Sequence, residues 1–386
     1  MQILTFTSLY PNIMEPRHGI FAKNRMDYFD RIEGTSRKVI APVQYMPLLG
    51  LDPRSRYHKY NRIPERERQG DVAVYHPRYI TIPGTSLINV ANAMAKSARR
   101  VVKKIYAEED IFDLIDGHYL YPDGVAAHRL AREYNKPLVL TALGSDVNFW
   151  LEQPQHKDSI LAAINYASKV TCVSQSLKDR LIDHGISEDK LAVLLNGIDQ
   201  SVFNTGVRPD GPNSYLLTIG NLIPLKGHEF ILRSLKDFPE ERLVIIGSGE
   251  LENNLKTLAA RLEISHRVTF LPNIPQKDLA PYYAGAKVTI LMSSMEGMPN
   301  VILESLASGT PVIATNVGGI PEVVTEDNGI LLPARDTDAL TAALKDALTR
   351  NWDREKISQG IAYLDWSETA CKLHDLFSTI LAHEKP

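Results

Sequence analysis

The chain has 386 residues, 44% of them apolar and 23% charged, with a formal net charge of -3. That length exceeds what one hydrophobic core usually serves, and that balance is not the balance of a disordered chain, so two ordered domains are expected. No apolar run approaches the roughly 18 residues a membrane span needs, and the opening "MQILTF" is too short for the core of a secretory signal.

Only two cysteines occur, Cys172 and Cys371, with no CxxC and no nearby histidine pair, which points to a reduced, cytoplasmic compartment. The charge is unevenly spread. From Arg17 to Lys104 there are 18 Lys and Arg against 7 Asp and Glu, whereas from residue 201 onward there are 17 against 23. Such an asymmetry suits a first half that meets phosphates or an acidic membrane surface, and equally a solvated basic face.

In chain order, "ILTF" (3–6), "KVIAPV" (38–43), "FDLIDGH" (112–118), "PLVLTAL" (137–143), "KVTCVS" (169–174) and "LAVLLN" (191–196) read as buried strands, with helical patterns between most of them. This alternation predicts crossover units and a parallel sheet covered by helices on both faces. The polar cluster "NTGVRPDGPNS" (204–214) reads as the domain boundary, between 1–205 and 206–365. Beyond it "SYLLTIG", "RLVIIG", "RVTFLP", "KVTILMSS", "TPVIATN" and "GILLP" restart the alternation, and the final stretch 366–386 reads as a helix free to pack back on the first domain. The fold class is therefore α/β, two Rossmann-like doubly wound domains whose strand ends face a cleft where ligands bind.

In the second domain, "VTILMSS" reads as a strand, "MEGMP" as a turn and "NVILESLAS" as a helix that Gly309 closes, with Pro299 in its first turn. Glu296 then sits in the loop and Glu304 in the second helical turn. The backbone N–H groups of Met298, Pro299's neighbours Asn300 and Val301, at the positive end of that helix, suit a phosphate. Lys226, in the loop "GNLIPLKGHEF", supplies a compact cation suited to a diphosphate, although no Walker loop occurs. Gly247 and Gly249 in "VIIGSGE" leave room for a closely approaching ring or backbone. Each signal taken alone has a structural account: a carboxylate near a helix start often only complements the helix dipole.

Taken together, "EGMPNVILESLASGTPVIATNVGGIPEVV" (296–324) resembles the ExxxxxxxE signature of the retaining glycosyltransferases of family 4. "VLLNGIDQSVF", "IGNLIPLKGHEFILRSL", "VIIGSGEL", "VTFLPNIPQKDLAPYYAGAKV" and "NGILLPARDTDAL" match the same family in order. The resemblance implies a hexosyltransferase of the two-domain GT-B type. It would use a nucleoside-diphosphate sugar (UDP-, GDP- or ADP-) and a carbohydrate or lipid-linked acceptor, in cell-surface polysaccharide or glycolipid synthesis, without nucleic acid and without a metal or other cofactor. It implies that Glu304 bonds the ribose hydroxyls, Glu296 the donor sugar hydroxyls, and the Ile274 backbone the base, while Lys226 neutralises the departing diphosphate. In the first domain it points to His118 near the donor sugar, Gly19 in the glycine loop and Asp146 on the acceptor side.

Three departures stand out. Asn221 replaces the family's common arginine, which shifts diphosphate binding onto Lys226 and backbone amides; the glycine loop has Gly19 alone; and Leu143–Gly144 precede Asp146 where His-Gly is usual. The string Asp336 to Asp338 precedes a helical run and reads as a cap, not a metal site. In "SLINVANAMAKSARRVVKKIYA" (86–107), apolar positions 87, 91, 94, 98, 101 and 105 share one face, leaving Lys96, Arg99, Arg100, Lys103 and Lys104 largely outward. With the cations of 53–68 they suit peripheral contact with anionic lipid. A nucleotide-sugar epimerase on the same fold and a non-catalytic nucleotide-sugar-binding subunit are the alternatives.

Overall fold

The computed structural model describes residues 1–47, 49–55, 57–81, 89–108, 111–207, 214–333 and 335–383. They form two compact units, Met1–Leu195 with Trp366–Pro386, and Asn196–Asp365.

In the first unit an eight-stranded sheet runs β10-β9-β8-β7-β1-β2-β5-β4. Its strands are β1 Gln2–Phe6, β2 Ser36–Ile40, β4 Arg66–Gln69, β5 Val72–Tyr75, β7 Leu114–His118, β8 Leu138–Ala142, β9 Lys169–Cys172 and β10 Leu191–Val193; β3 Val43–Tyr45 and β6 Arg78–Ile80 form a separate pair. Every pairing is parallel except β4 with β5, so β4 closes the edge as an antiparallel strap. The central β7 and β8 are buried on both faces, in keeping with their unbroken apolar runs. The expected strand over 38–43 divides at Ala41–Pro42, because a proline donates no ladder hydrogen bond. The charged strand β4, "RERQ", carries no apolar alternation to reveal it.

The second unit holds a wholly parallel six-stranded sheet, β13-β12-β11-β14-β15-β16. Its strands are β11 Tyr215–Ile219, β12 Leu243–Ile246, β13 Val268–Leu271, β14 Ala286–Leu291, β15 Val312–Thr315 and β16 Gly329–Leu332, each overlapping a segment expected to be a strand. Leu216, Ile245, Ile290 and Ile313 meet Ile231, Leu235, Leu255, Leu340 and Leu344 in one core.

The division falls at 195/196, ahead of the polar cluster at 204–214, of which 208–213 lie outside the described residues. The intervening residues are tied into the second unit. Asn196 donates to Asn300 Oδ1 at 2.9 Å, the Ile198 N–H to the Leu364 carbonyl at 2.6 Å, and Phe203 sits edge-on to Tyr283 with ring centroids 5.9 Å apart. The Gly/Pro cluster marks a polar connection within the second unit, which composition alone does not distinguish from a linker.

The helix Trp366–His383 belongs to the first unit. Ala370, Leu373 and Phe377 join Ile3, Met26, Phe29, Leu114 and Val139 in one buried cluster, with Phe377 edge-on to Phe29 at 5.5 Å. In the helix Val90–Ala107, Ala91, Met94, Ala95, Ala98, Val102 and Ile105 are buried, a sequence of i, i+3, i+4, i+7 steps. Val102, not the expected Val101, carries the stripe, and Leu87 lies outside the described residues. Phe377→Ala is expected to cost about 3–5 kcal/mol, as for a buried phenyl ring. A urea midpoint equal to the wild type's would show that the last helix is not part of this core.

Candidate functional site

Because all six strands of the second unit run the same way, the loops after β11, β12, β13, β14 and β15 gather at one edge of its sheet. The loop after β11 carries Asn221 and Lys226, that after β12 Gly247 and Gly249, that after β13 Ile274, and that after β14 Glu296 and Met298. The helix Asn300–Ala307 follows, and no side chain caps it. Pro299 does not open its first turn: it stands at the N-cap in an extended conformation, with φ -76° and ψ 116°. Asn300 and Val301 are the first helical residues, so their N–H groups have no acceptor within the helix.

Lys226 Nζ lies 2.5 Å from Glu296 Oε1, and the same oxygen accepts the Ser293 hydroxyl at 2.5 Å. Neither side chain is more than a fifth exposed, so the pair is partly desolvated and stronger than a surface ion pair. The strand-end loops are packed backbone to backbone. A side chain on Gly247 would overlap the Gly220 carbonyl, one on Gly249 that of Leu222, and one on Gly318 (φ +58°) that of Glu296. Of the ring or backbone expected to approach Gly247 and Gly249 closely, it is the chain's own backbone that does so. The Gly319 N–H reaches the Gly297 carbonyl at 2.7 Å, which fixes the turn between the two glutamates.

Glu304 is 3% exposed, with Oε1 accepting from Gln276 at 2.6 Å and Oε2 from the Tyr283 hydroxyl at 2.8 Å. His228 lies beneath Lys226; burial pulls its ring down to about 4, so it is neutral, with Nε2–H donating to the Asn221 carbonyl at 3.2 Å. Asn221 thus contributes a carbonyl to the loop's own support, while its side chain is exposed. Ile274 is half-buried in the loop before Gln276. Asp336 caps the helix Thr337–Thr349 by accepting the Ala339 N–H at 2.7 Å. Among the described residues no group of three or more His, Cys, Asp or Glu is placed to hold a metal ion.

In the first unit, Gly19 has φ +64° and precedes the helix Ile20–Phe29; any side chain there would strike the Leu9 carbonyl. His118 ends β7, but its ring is 1% exposed and its Nε2 lies 2.6 Å from Asp116 Oδ2. The open, ligand-facing ring expected at this strand end is not what the structure places there. Asp116, two residues earlier on the same strand face, was visible in "LIDGH" as the ring's partner. Asp146 also departs from expectation. It is fully buried, and its two oxygens accept the N–H groups of Leu120, Leu143, Gly144 and Val147 at 2.7–3.1 Å. A carboxylate so occupied ties the 143–147 turn to the loop after β7 and has no oxygen directed at an acceptor.

Asp123 is the counterpart of Asp146 that the sequence does not single out. It is fully buried, accepts both the N–H and the hydroxyl of Ser8, and is pushed up to about 7, chiefly by burial. An unfolded aspartate loses its proton near pH 4, so between about pH 4 and 7 the native chain holds the extra proton and stability falls as pH rises. The slope is expected to approach about 1.4 kcal/mol per pH unit at most. Thermal unfolding of wild type and Asp123→Asn across that window checks it, since the variant should lack this component.

Comparison with known proteins assigns this architecture. A model described as "Glycosyltransferase Family 4" matches residues 13–202, and one described as "Glycosyl transferases group 1" matches 204–362. TuaC of Bacillus subtilis (strain 168), a glycosyltransferase named for teichuronic acid biosynthesis, is 27% identical over 98% of this chain and 99% of its own. The fold is that of sucrose-phosphate synthase from Thermosynechococcus elongatus, with a TM-score of 0.77 at 18% identity over 99% of both chains. It is also that of Anabaena Alr3699/HepE, solved in complex with UDP-glucose, with a TM-score of 0.67 at 19% identity over 98% of this chain and 99% of that one. Two matched domain models in tandem, a full-length relative and the paired parallel sheets converge: the chain belongs to the family 4 glycosyltransferases of GT-B fold.

Proposed function

We propose that the enzyme moves a hexosyl group from a nucleoside-diphosphate sugar to a carbohydrate or lipid-linked acceptor with retention at the anomeric carbon, in cell-surface polysaccharide or glycolipid synthesis. The observation that carries this reading is the partly desolvated Lys226–Glu296 pair at the strand ends of the second unit, beside an uncapped helix start. The UDP-glucose held by the HepE relative of like fold and the polymer for which TuaC is named support the donor and acceptor classes.

In this reading the diphosphate takes the N–H groups of Met298, Asn300 and Val301 and draws Lys226 away from Glu296. The ammonium then meets the charge that develops as the diphosphate leaves, a term that acts mainly in the transition state. Glu296, released from Lys226 and still held by Ser293, accepts hydroxyls of the donor sugar. Glu304, positioned by Gln276 and Tyr283, accepts a ribose hydroxyl, and the Ile274 backbone reads the base. The charge-assisted bond that an arginine would supply at position 221 is worth about 1.5–3 kcal/mol, so binding leans on Lys226 and the amides. Lys226 meets the leaving-group charge without a metal ion. In the first unit, Gly19 lets its loop pack against Leu9, and Asp146 supports the loop after β8.

Lys226→Ala is expected to lower kcat/KM at least about tenfold, or about 1.4 kcal/mol of transition-state stabilisation, and Glu296→Ala to lower kcat comparably. Both are read by nucleoside diphosphate released from UDP-glucose, GDP-mannose or ADP-glucose with a membrane-extract acceptor. Proton NMR of the product should show the donor's anomeric configuration kept. Wild-type rates in both variants would refute the site, sugar conversion without an acceptor would favour the epimerase, and donor-induced thermal stabilisation without turnover would favour a binding subunit.

A further inference from the structure

Lys226 ends a single turn of 3-10 helix, Pro224–Lys226, which Gly227 closes with φ +65°. Each residue of that turn is gripped from a different part of the second unit. The Pro224 carbonyl accepts from Arg335 Nη1 at 2.8 Å, the Leu225 carbonyl from the Ser294 N–H at 2.9 Å, and the Lys226 ammonium lies 2.5 Å from Glu296 Oε1. A turn this short has almost no hydrogen-bond ladder of its own, so these outside ties decide where it sits. The Ser294 tie runs from backbone to backbone. The Glu296 tie opens in the proposed reaction, when the diphosphate draws the ammonium away. Among the described residues Arg335 is then the one side chain that still bonds the turn.

The sheet delivers Arg335 to this place. β16 ends at Leu332, on the same edge as the other strand ends, and Arg335 follows before the helix Thr337–Thr349 begins. Its neighbour Asp336 turns its Oδ1 to the Ala339 N–H at 2.7 Å, so the nearest carboxylate in sequence is used as a helix cap. Among the described residues Arg335 makes no ion pair. Its guanidinium lies over the Phe230 ring instead, 5.5 Å from the centroid, a contact that holds the group without neutralising it. Phe230 stands in the first turn of the helix His228–Leu235, directly after Gly227. Arg335 therefore grips the chain on both sides of Gly227, the turn by a hydrogen bond and the helix by a ring contact. The rigid planar fork of an arginine suits two such contacts at once.

We infer that Arg335 is a positioning residue for the transfer, fixing the turn Pro224–Lys226 so that the ammonium meets the diphosphate at a set place once Glu296 releases it. This rests on the proposed role of Lys226, and double variants separate the two. Arg335→Met removes donor and charge but leaves an apolar stem over Phe230, whereas Arg335→Lys keeps donor and charge. Each is made in the wild-type and Lys226→Ala backgrounds. Arg335→Met is expected to lower kcat/KM at least about fivefold with the donor and membrane-extract acceptor that serve wild type best, chiefly through kcat, and Arg335→Lys to recover most of it. In the Lys226→Ala background Arg335→Met should change less than about twofold, since nothing is left to position. Calorimetric affinity for UDP, GDP and ADP, which needs no turnover, should show the same dependence on Lys226. Melting temperatures should stay within about 2 °C of their parents. An equal loss in both backgrounds, an unchanged rate in Arg335→Met, or a loss that tracks a lowered melting temperature and is not recovered by lysine would each overturn the inference. Wild-type rate and affinity in Lys226→Ala would instead remove the role of the lysine itself, and the inference with it.

Discussion

Parallel pairing is the constraint from which the candidate site follows. In the six-stranded sheet every strand delivers its carboxyl end to the same edge, so five consecutive loops converge although Gly220 and Gly318 stand 98 positions apart and share no local motif. Convergence alone would leave the loops too far apart to act together. Gly247, Gly249 and Gly318 bring their loops into direct contact with the backbones of Gly220, Leu222 and Glu296, and only residues without a side chain permit that. The ion pair between Lys226 and Glu296 joins the loops after β11 and β14, and Ser293 fixes its acidic partner. A side chain at Gly318 would displace the Glu296 backbone and so move its carboxylate without touching it.

Much of this was legible because it rests on short-range patterns. The six strands of the second unit are apolar runs bounded by glycine, proline or asparagine, and burial on both faces is what makes such runs continuous. The placement of Glu296 in a turn and Glu304 in a helix follows from Gly297 and Pro299 between them. What stayed hidden is long-range. The strap β4 has no alternation, since its partner on one side is solvent; the unit boundary is decided by Asn196, Ile198 and Phe203 meeting residues more than 75 positions away.

Burial of carboxylates was the least legible feature. A sequence shows that an aspartate ends a strand but not which way its oxygens turn. Asp146, Asp123 and Asp116 all lie at or near strand ends of the first unit, where ligands usually bind, yet each is fully buried and engaged by the protein. Their cost is visible in the direction of their titration: burial raises both Asp123 and Asp146, and the backbone N–H groups around Asp146 only partly oppose it. Asp146 joins two strand-end loops through four backbone donors, and Asp123 ties the segment after β1 to the one after β7.

The two units thus use charge in opposite ways. In the first, buried carboxylates accept backbone N–H groups, which fixes loop shape. In the second, the pair at the strand ends is matched and shielded, with Glu296 held by both Lys226 and Ser293. On the proposed function, a matched pair suits binding a diphosphate and releasing it: an isolated, partly buried lysine would attract the anion more strongly but hold the departing nucleotide as tightly, whereas Glu296 would recover Lys226 as the product leaves.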